Sequence, residues 1–231
     1  MHIDTYYKKF WVNALAKFKM GQFEYDKLID DPKDQRFGLT VLVRPSKEVK
    51  LAINQVLMHF QSLESGQYYY PISDMHVTGL SVISCYNGFN RQSFNGEDYK
   101  KVVKASIQNI HPFKLHFQGI TASPAAILAQ GYPDGMLNLL RKNLRTLFKK
   151  SGLETSFDTR YSIVAAHSTI MRFQQPLQNP AKFIEVLKEY RHYEFGCTHV
   201  AEIELVFNDW YQRKDKGFTI ASFQLNEAHS C

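Results

Sequence analysis

DMHVTGLSVIS (residues 74–84) and YSIVAAHSTIMRF (161–173) are the two stretches on which the fold turns. Each is rich in β-branched and apolar residues, and each reads as a strand. On a strand, residues i and i+2 project from the same face. His76 and Thr78 therefore stand side by side while Val77 points away, and His167 and Thr169 do the same with Ser168 turned back. Imidazoles and hydroxyls of this kind are costly to bury without partners, so two such dyads point to an open polar surface.

The same pattern extends outward from each stretch. FGLTVLVRP (37–45) predicts a strand stopped by Pro45, and Ser46 predicts an N-cap for a helix carrying Val49, Ile53, Val56, Leu57 and Phe60 on one face. EDYKKVVKASIQNI (97–110) predicts a second amphipathic helix, and FKLHFQGITAS with AAILAQGY predicts a hairpin. In the second half GMLNLLRKNLRTLFKKSG (135–152) and PAKFIEVLKEYRH (180–192) read as helices, the latter with Pro at its start. AEIELVFNDW and GFTIASFQL close the chain as strands joined by QRKDKG. No Pro/Gly/Ser linker separates the halves, although each carries a histidine-bearing strand among amphipathic helices. The expectation is one α+β domain over 37–231 with two lobes: pseudo-twofold antiparallel sheets, helices packed outside and a central cleft. Residues 1–36 are expected to form a largely helical extension packed on it.

Composition narrows the setting. The 231 residues include three cysteines, Cys85, Cys197 and Cys231, in no C-x-x-C pair, which argues against a disulfide framework or a Cys-rich zinc site. Lys8, Lys9, Lys17 and Lys19 interrupt the first twenty residues, and no apolar run is long enough to cross a membrane. A cytoplasmic, monomeric protein with no membrane partner is expected. The net charge of +6 leans toward an anionic partner. Arg141, Lys142, Arg145, Lys149 and Lys150 spread around one predicted helix, as expected of a solvated helix face.

Of nine histidines, only His76 and His167 are followed at the second position by threonine. A bare H-x-[ST] match is cheap, about one by chance among nine histidines. Strand parity and mirrored placement give this pair its weight. In-line displacement at phosphorus needs one group to take a proton and another, on the opposite side, to give one. Two imidazoles can divide those roles with no metal or other cofactor. Hydroxyls beside them can donate to the non-bridging oxygens.

Paired H-x-T motifs in the two halves of a chain this size resemble the 2H phosphoesterase superfamily, which includes 2′-5′ RNA ligase-like proteins and cyclic nucleotide phosphodiesterases. HSTIMRF fits the motif with His167, Thr169 and Ile170, and Arg172 stands where the family often has arginine. HVTGLSVIS keeps His76 and Thr78 but has Gly79 at a usually apolar position. The resemblance covers about residues 37–225 by element order, and it implies His76 and His167 as catalytic residues. Thr78, Thr169 and Arg172 are then the phosphate ligands, Arg172 being equally readable as an ion-pair partner. The implied partner is a nucleotide or short RNA, with a 2′,3′-cyclic phosphate or a 2′-5′ linkage as the scissile group. Tyr161, Phe37, Tyr132 and the run Tyr68-Tyr69-Tyr70 are candidates to line a base pocket. Two other uses of the same residues stay open: a nucleotide-binding module without turnover, and a sugar-converting enzyme that moves protons with the two histidines.

Overall fold

Strand β1 (Arg36–Val43) lies inside the molecule, and every residue from Gly38 to Val43 is buried, as its run of β-branched and aliphatic residues requires. Ser46 then caps α2 (Lys47–Leu63), its side chain accepting from the Val49 amide. The computed structural model describes residues 3–157 and 165–226. Its remaining elements are α1 (Ile3–Lys19), β2 (Tyr68–Tyr69), β3 (Val77–Asn87), α3 (Gly96–Ser106), β4 (Phe113–Ser123), β5 (Ala126–Pro133), α4 (Met136–Ser151), β6 (Ser168–Arg172), α5 (Pro180–Glu189), β7 (Glu194–Val200), β8 (Glu202–Asp209) and β9 (Phe218–Gln224).

The strands form two antiparallel sheets, ordered β3-β1-β8-β9 and β2-β6-β5-β4-β7. The run β3-β1-β8-β9 has its counterpart in β6-β5-β4-β7. In both, a strand crosses through a helix (β1-α2-β3 and β5-α4-β6) to an antiparallel neighbour that carries the H-x-T motif. The crossover helices change sides: α2 packs on β7 and β6 of the second sheet, and α4 packs on β3 of the first. Each lobe thus clamps the other, and one apolar core runs through both. Among the described residues no helix is long and apolar enough to cross a membrane.

Four expectations are corrected. Strand β3 starts at Val77 and runs on to Asn87, and β6 starts at Ser168. Each histidine therefore sits on the residue just before its strand, in the same relation to it. The helix expected over 97–110 ends at Ser106. The short strand β2 and the strand β7 went unrecognised in the sequence; β7 is EFGCTHV, whose glycine and alternating polar residues blur the strand signal. Arg141 is not on a solvated face: it is 2% exposed.

The candidate active site

A cavity of about 190 Å³ lies between the sheets, and His76, Thr78, His167, Thr169 and Arg172 all face it. The two dyads are delivered alike. Thr78 pairs with Leu42 and Thr169 with Leu128, and the register slips by one immediately after each threonine. Leu42 and Val41 oppose Thr78 and Leu80, leaving Gly79 as the extra residue; Leu128 and Ile127 oppose Thr169 and Met171, leaving Ile170. Such bulges bend a strand and re-aim its side chains. Further slips along β3 bring Ser81 and Ser84 to the cavity wall with Thr78, at a spacing of three rather than two. Gly79 also fits its bulge closely, since a Cβ there would lie 3.0 Å from the Val41 carbonyl oxygen.

His76 Nδ1 lies 2.7 Å from the Asp74 carbonyl oxygen. A carbonyl only accepts, so Nδ1 carries the proton and Nε2 is the nitrogen left for the cavity. His167 Nδ1 is buried and has no hydrogen-bond partner among the described residues. Burial lowers both imidazoles from their ordinary value of 6.5 to about 4. Beyond burial, Arg44 and then His167 and Arg172 press His76 downward against the opposing pull of the Asp74 carbonyl, and Arg141 and Arg172 act on His167. Both rings are therefore neutral at pH 7. The hydroxyls of Thr78 and Thr169 make no hydrogen bond among the described residues, and no Asp or Glu is part of the wall. Among the described residues the surface is polar, donor-rich and without a negative charge, which suits an anion.

Arg172 Nε donates to the Tyr70 hydroxyl (3.0 Å), and its Nη1 lies 3.6 Å from Asp26 Oδ2. The Tyr211 hydroxyl donates to the other oxygen of Asp26 (2.8 Å), and the guanidinium of Arg172 stands 5.5 Å from the Tyr211 ring centre. Arg172 is thus both an ion-pair partner and a cavity residue. Asp26 comes from the segment ahead of β1, which had no expected role at the site.

Arg141 is the other residue that the sequence concealed. From α4 it donates to the carbonyls of Gly79 (3.0 Å), Thr78 (2.7 Å) and Ala165 (2.9 Å). One buried guanidinium therefore ties the first dyad's strand to the backbone two residues before His167. An i, i+3, i+4 count alone could have placed it between Leu137, Leu140 and Leu144, all buried.

The expected aromatic lining is only partly right. Phe37 stacks on Phe207 with ring centres 5.0 Å apart, and Tyr132 meets Tyr7 edge-on at 5.5 Å; neither reaches the cavity. Tyr161 lies outside the described residues. Of the run Tyr68-Tyr69-Tyr70 only Tyr70 is part of the described wall, where Phe157, Trp210 and Tyr211 join it. The last two follow directly on β8, and the next residue, Gln212, takes a left-handed φ of 63° and donates to Thr40 Oγ1 (3.0 Å). Among the described residues no group of three or more His, Cys, Asp or Glu could hold a metal ion.

No family model matches the sequence, and no curated protein matches it either. Solved structures do share the fold. The protein TT0787 of Thermus thermophilus aligns with a TM-score of 0.62 at 17% identity, over 83% of this chain and 100% of that one. LigT of E. coli in complex with 3′-AMP gives 0.55 at 13%, over 84% and 100%. A phosphoesterase gives 0.52 at 11%, again over 84% and 100%. The two-lobed α+β fold expected from the sequence is therefore shared by these solved structures over 83–84% of the chain.

Proposed function

We propose that this protein is a phosphodiesterase that cleaves a nucleotide or RNA-end phosphodiester, a 2′,3′-cyclic phosphate or a 2′-5′ linkage, by two-histidine acid/base catalysis without a metal ion. The observation that carries the reading is the convergence of two H-x-T dyads, from equivalent strands of two pseudo-symmetric sheets, on one cavity whose described lining residues include no carboxylate. The phosphoryl group sits between the dyads. One imidazole, neutral, takes the proton of the attacking water as its oxygen bonds to phosphorus. The other, protonated, gives its proton to the departing ribose oxygen as that P–O bond breaks. The products are a phosphate monoester and a free hydroxyl, and exchange with solvent resets the two rings.

Burial keeps both rings neutral at pH 7, so the acid must gain its proton with the substrate. A bound phosphodiester supplies the negative charge that makes this favourable, drawing one proton into the site. The Thr78 and Thr169 hydroxyls and the Arg172 guanidinium hold the non-bridging oxygens, whose charge grows during transfer. LigT, which shares the fold, forms complexes with 3′-AMP and with phosphate, in keeping with a nucleotide phosphate as ligand here.

The test is a panel of nucleoside 2′,3′-cyclic phosphates and 2′-5′-linked dinucleotides incubated with the protein in chelator, with products resolved by chromatography. Turnover of at least one class, unchanged by the chelator, is expected. Binding of the same compounds with no product would replace the enzyme by a binding module.

A further inference from the structure

Beside the cavity lies a groove of about 490 Å³, on the face of β8 and β9, that shares Asn208 and Gln212 with the cavity wall. Four cations line it: Arg44, Lys50, Arg213 and Lys214. Glu204 is its single carboxylate among the described residues, and it is taken by Arg44 Nε at 3.2 Å. Arg213 is likewise occupied, with its Nε 2.6 Å from Asp209 Oδ2. Lys50 and Lys214 have no ion pair or side-chain hydrogen bond among the described residues. The ammonium of Lys50 is held below its ordinary value, first by burial and then by repulsion from Arg44 and Lys214, with only Glu204 opposing. With Arg213 paired to Asp209, the other three cations, Arg44, Lys50 and Lys214, share Glu204 as the single carboxylate among the described lining residues.

The groove is coupled to His76. The Lys214 amide donates to Asp74 Oδ1 (3.3 Å), and the carbonyl of that same Asp74 fixes His76. Arg44 donates to the Ser73 carbonyl (3.5 Å), one residue earlier, and is the leading cation acting on His76. A phosphate in this groove and a phosphate between the dyads would therefore belong to one ligand. The groove also presents Ile72, Val206 and Phe218, and its volume exceeds that of the cavity, so it has room for a nucleoside beside the phosphate.

We propose that Lys50 and Lys214, with Arg44, form a second phosphate subsite that receives the phosphodiester adjacent to the one cleaved, which makes the preferred ligand an oligoribonucleotide rather than a mononucleotide. This rests on the phosphodiesterase reading for the identity of the first phosphate.

Fluorescence anisotropy competition tests it, with three probes: a trinucleotide ending in a 3′-phosphate, the corresponding nucleoside 3′-monophosphate and a nucleoside 5′-diphosphate. The wild-type protein is expected to bind the trinucleotide at least about tenfold more tightly than the monophosphate, each further neutralised phosphate steepening the salt dependence by about 0.7 in log–log slope. K50Q/K214Q is expected to lose that preference and part of the slope while binding the monophosphate as before, and K50R/K214R to retain both. Equal wild-type affinities for trinucleotide and monophosphate, or an unaltered preference in K50Q/K214Q, would overturn the subsite. A nucleoside diphosphate that binds as tightly as the trinucleotide, and depends on the same lysines, would overturn the oligonucleotide assignment. If the wild type turns over no substrate yet holds the trinucleotide through Lys50 and Lys214, the subsite stands and the phosphodiesterase reading falls.

Discussion

His76 and His167 owe their chemistry to burial as much as to identity. Each is lowered from 6.5 to about 4 in the folded chain, so between those values the unfolded chain binds protons that the folded one does not. The stability this linkage governs is fully present above about pH 6.5 and is lost as pH falls toward 4. Urea unfolding at pH 7 and pH 5 is expected to show that loss, and H76Q/H167Q to flatten it. An anion between the rings reverses the balance, so phosphate affinity is expected to rise below neutrality with uptake of protons, measurable by calorimetry in buffers of different ionisation heat. Replacing either histidine with Ala is expected to cut turnover by about 10²–10⁴-fold, the usual worth of a positioned acid or base, while circular dichroism stays native. That these two residues and their threonines would face one cavity was legible from the H-x-T spacing, although each histidine stands just ahead of its strand. Asp26 was not legible, since its partners Tyr211 and Arg172 are 185 and 146 positions away in the chain.

The strands and crossover helices decide how the dyads are held. Most were readable from periodicity and caps: Ser46 at the start of α2, Pro180 at the start of α5 and Gly152, with a φ of 71°, at the end of α4. The bulges of β3 were harder to read, since each extra residue shifts the alternation and turns a period of two into the spacing Thr78, Ser81, Ser84. The run T-G-L-S-V-I-S carries that spacing openly, but a strand reading does not look for it. Arg141 belongs to the same scale, because α4 uses it to bind the backbones of both motifs. Replacing it with Met would leave the carbonyls of Thr78, Gly79 and Ala165 buried and short of a donor, at about 1–3 kcal/mol each. A lower melting temperature together with a reduced kcat is expected of R141M, whereas a purely structural role would lower the first alone. Gly131 is a second such point: a Cβ there would lie 2.0 Å from the Ala166 carbonyl oxygen. Gly131→Ala is expected to displace the residue next to His167 and lower turnover, which steady-state kinetics would register.

At the scale of the whole molecule, two lobes exchange helices across one core, and the segment ahead of β1 closes the assembly. Helix α1 sends the Tyr7 hydroxyl to the Gly131 carbonyl (3.0 Å) and receives the Gly131 amide on the same oxygen (3.2 Å). Tyr7, Ala14 and Phe18 are buried beneath it. Downstream, the Asp26 amide bonds the Phe173 carbonyl (2.7 Å), which sets its carboxylate against Tyr211 and Arg172. Deleting residues 1–20 is expected to lower the urea midpoint and to speed hydrogen exchange in β5 and β6, where a detachable extension would change neither. The two-lobed architecture was legible because the order of strands and helices repeats, whereas the swap of α2 and α4 between sheets was not, since an amphipathic stripe does not say which sheet it meets. What the repeat implies most sharply is that two dyads share one phosphate. The direct measurement is a crystal structure of the protein soaked with inorganic phosphate. The account expects one phosphate between the lobes, within hydrogen-bond distance of His76 Nε2, a ring nitrogen of His167 and both threonine hydroxyls. A phosphate that meets only one dyad, or that binds elsewhere and leaves the cavity to water, would contradict it.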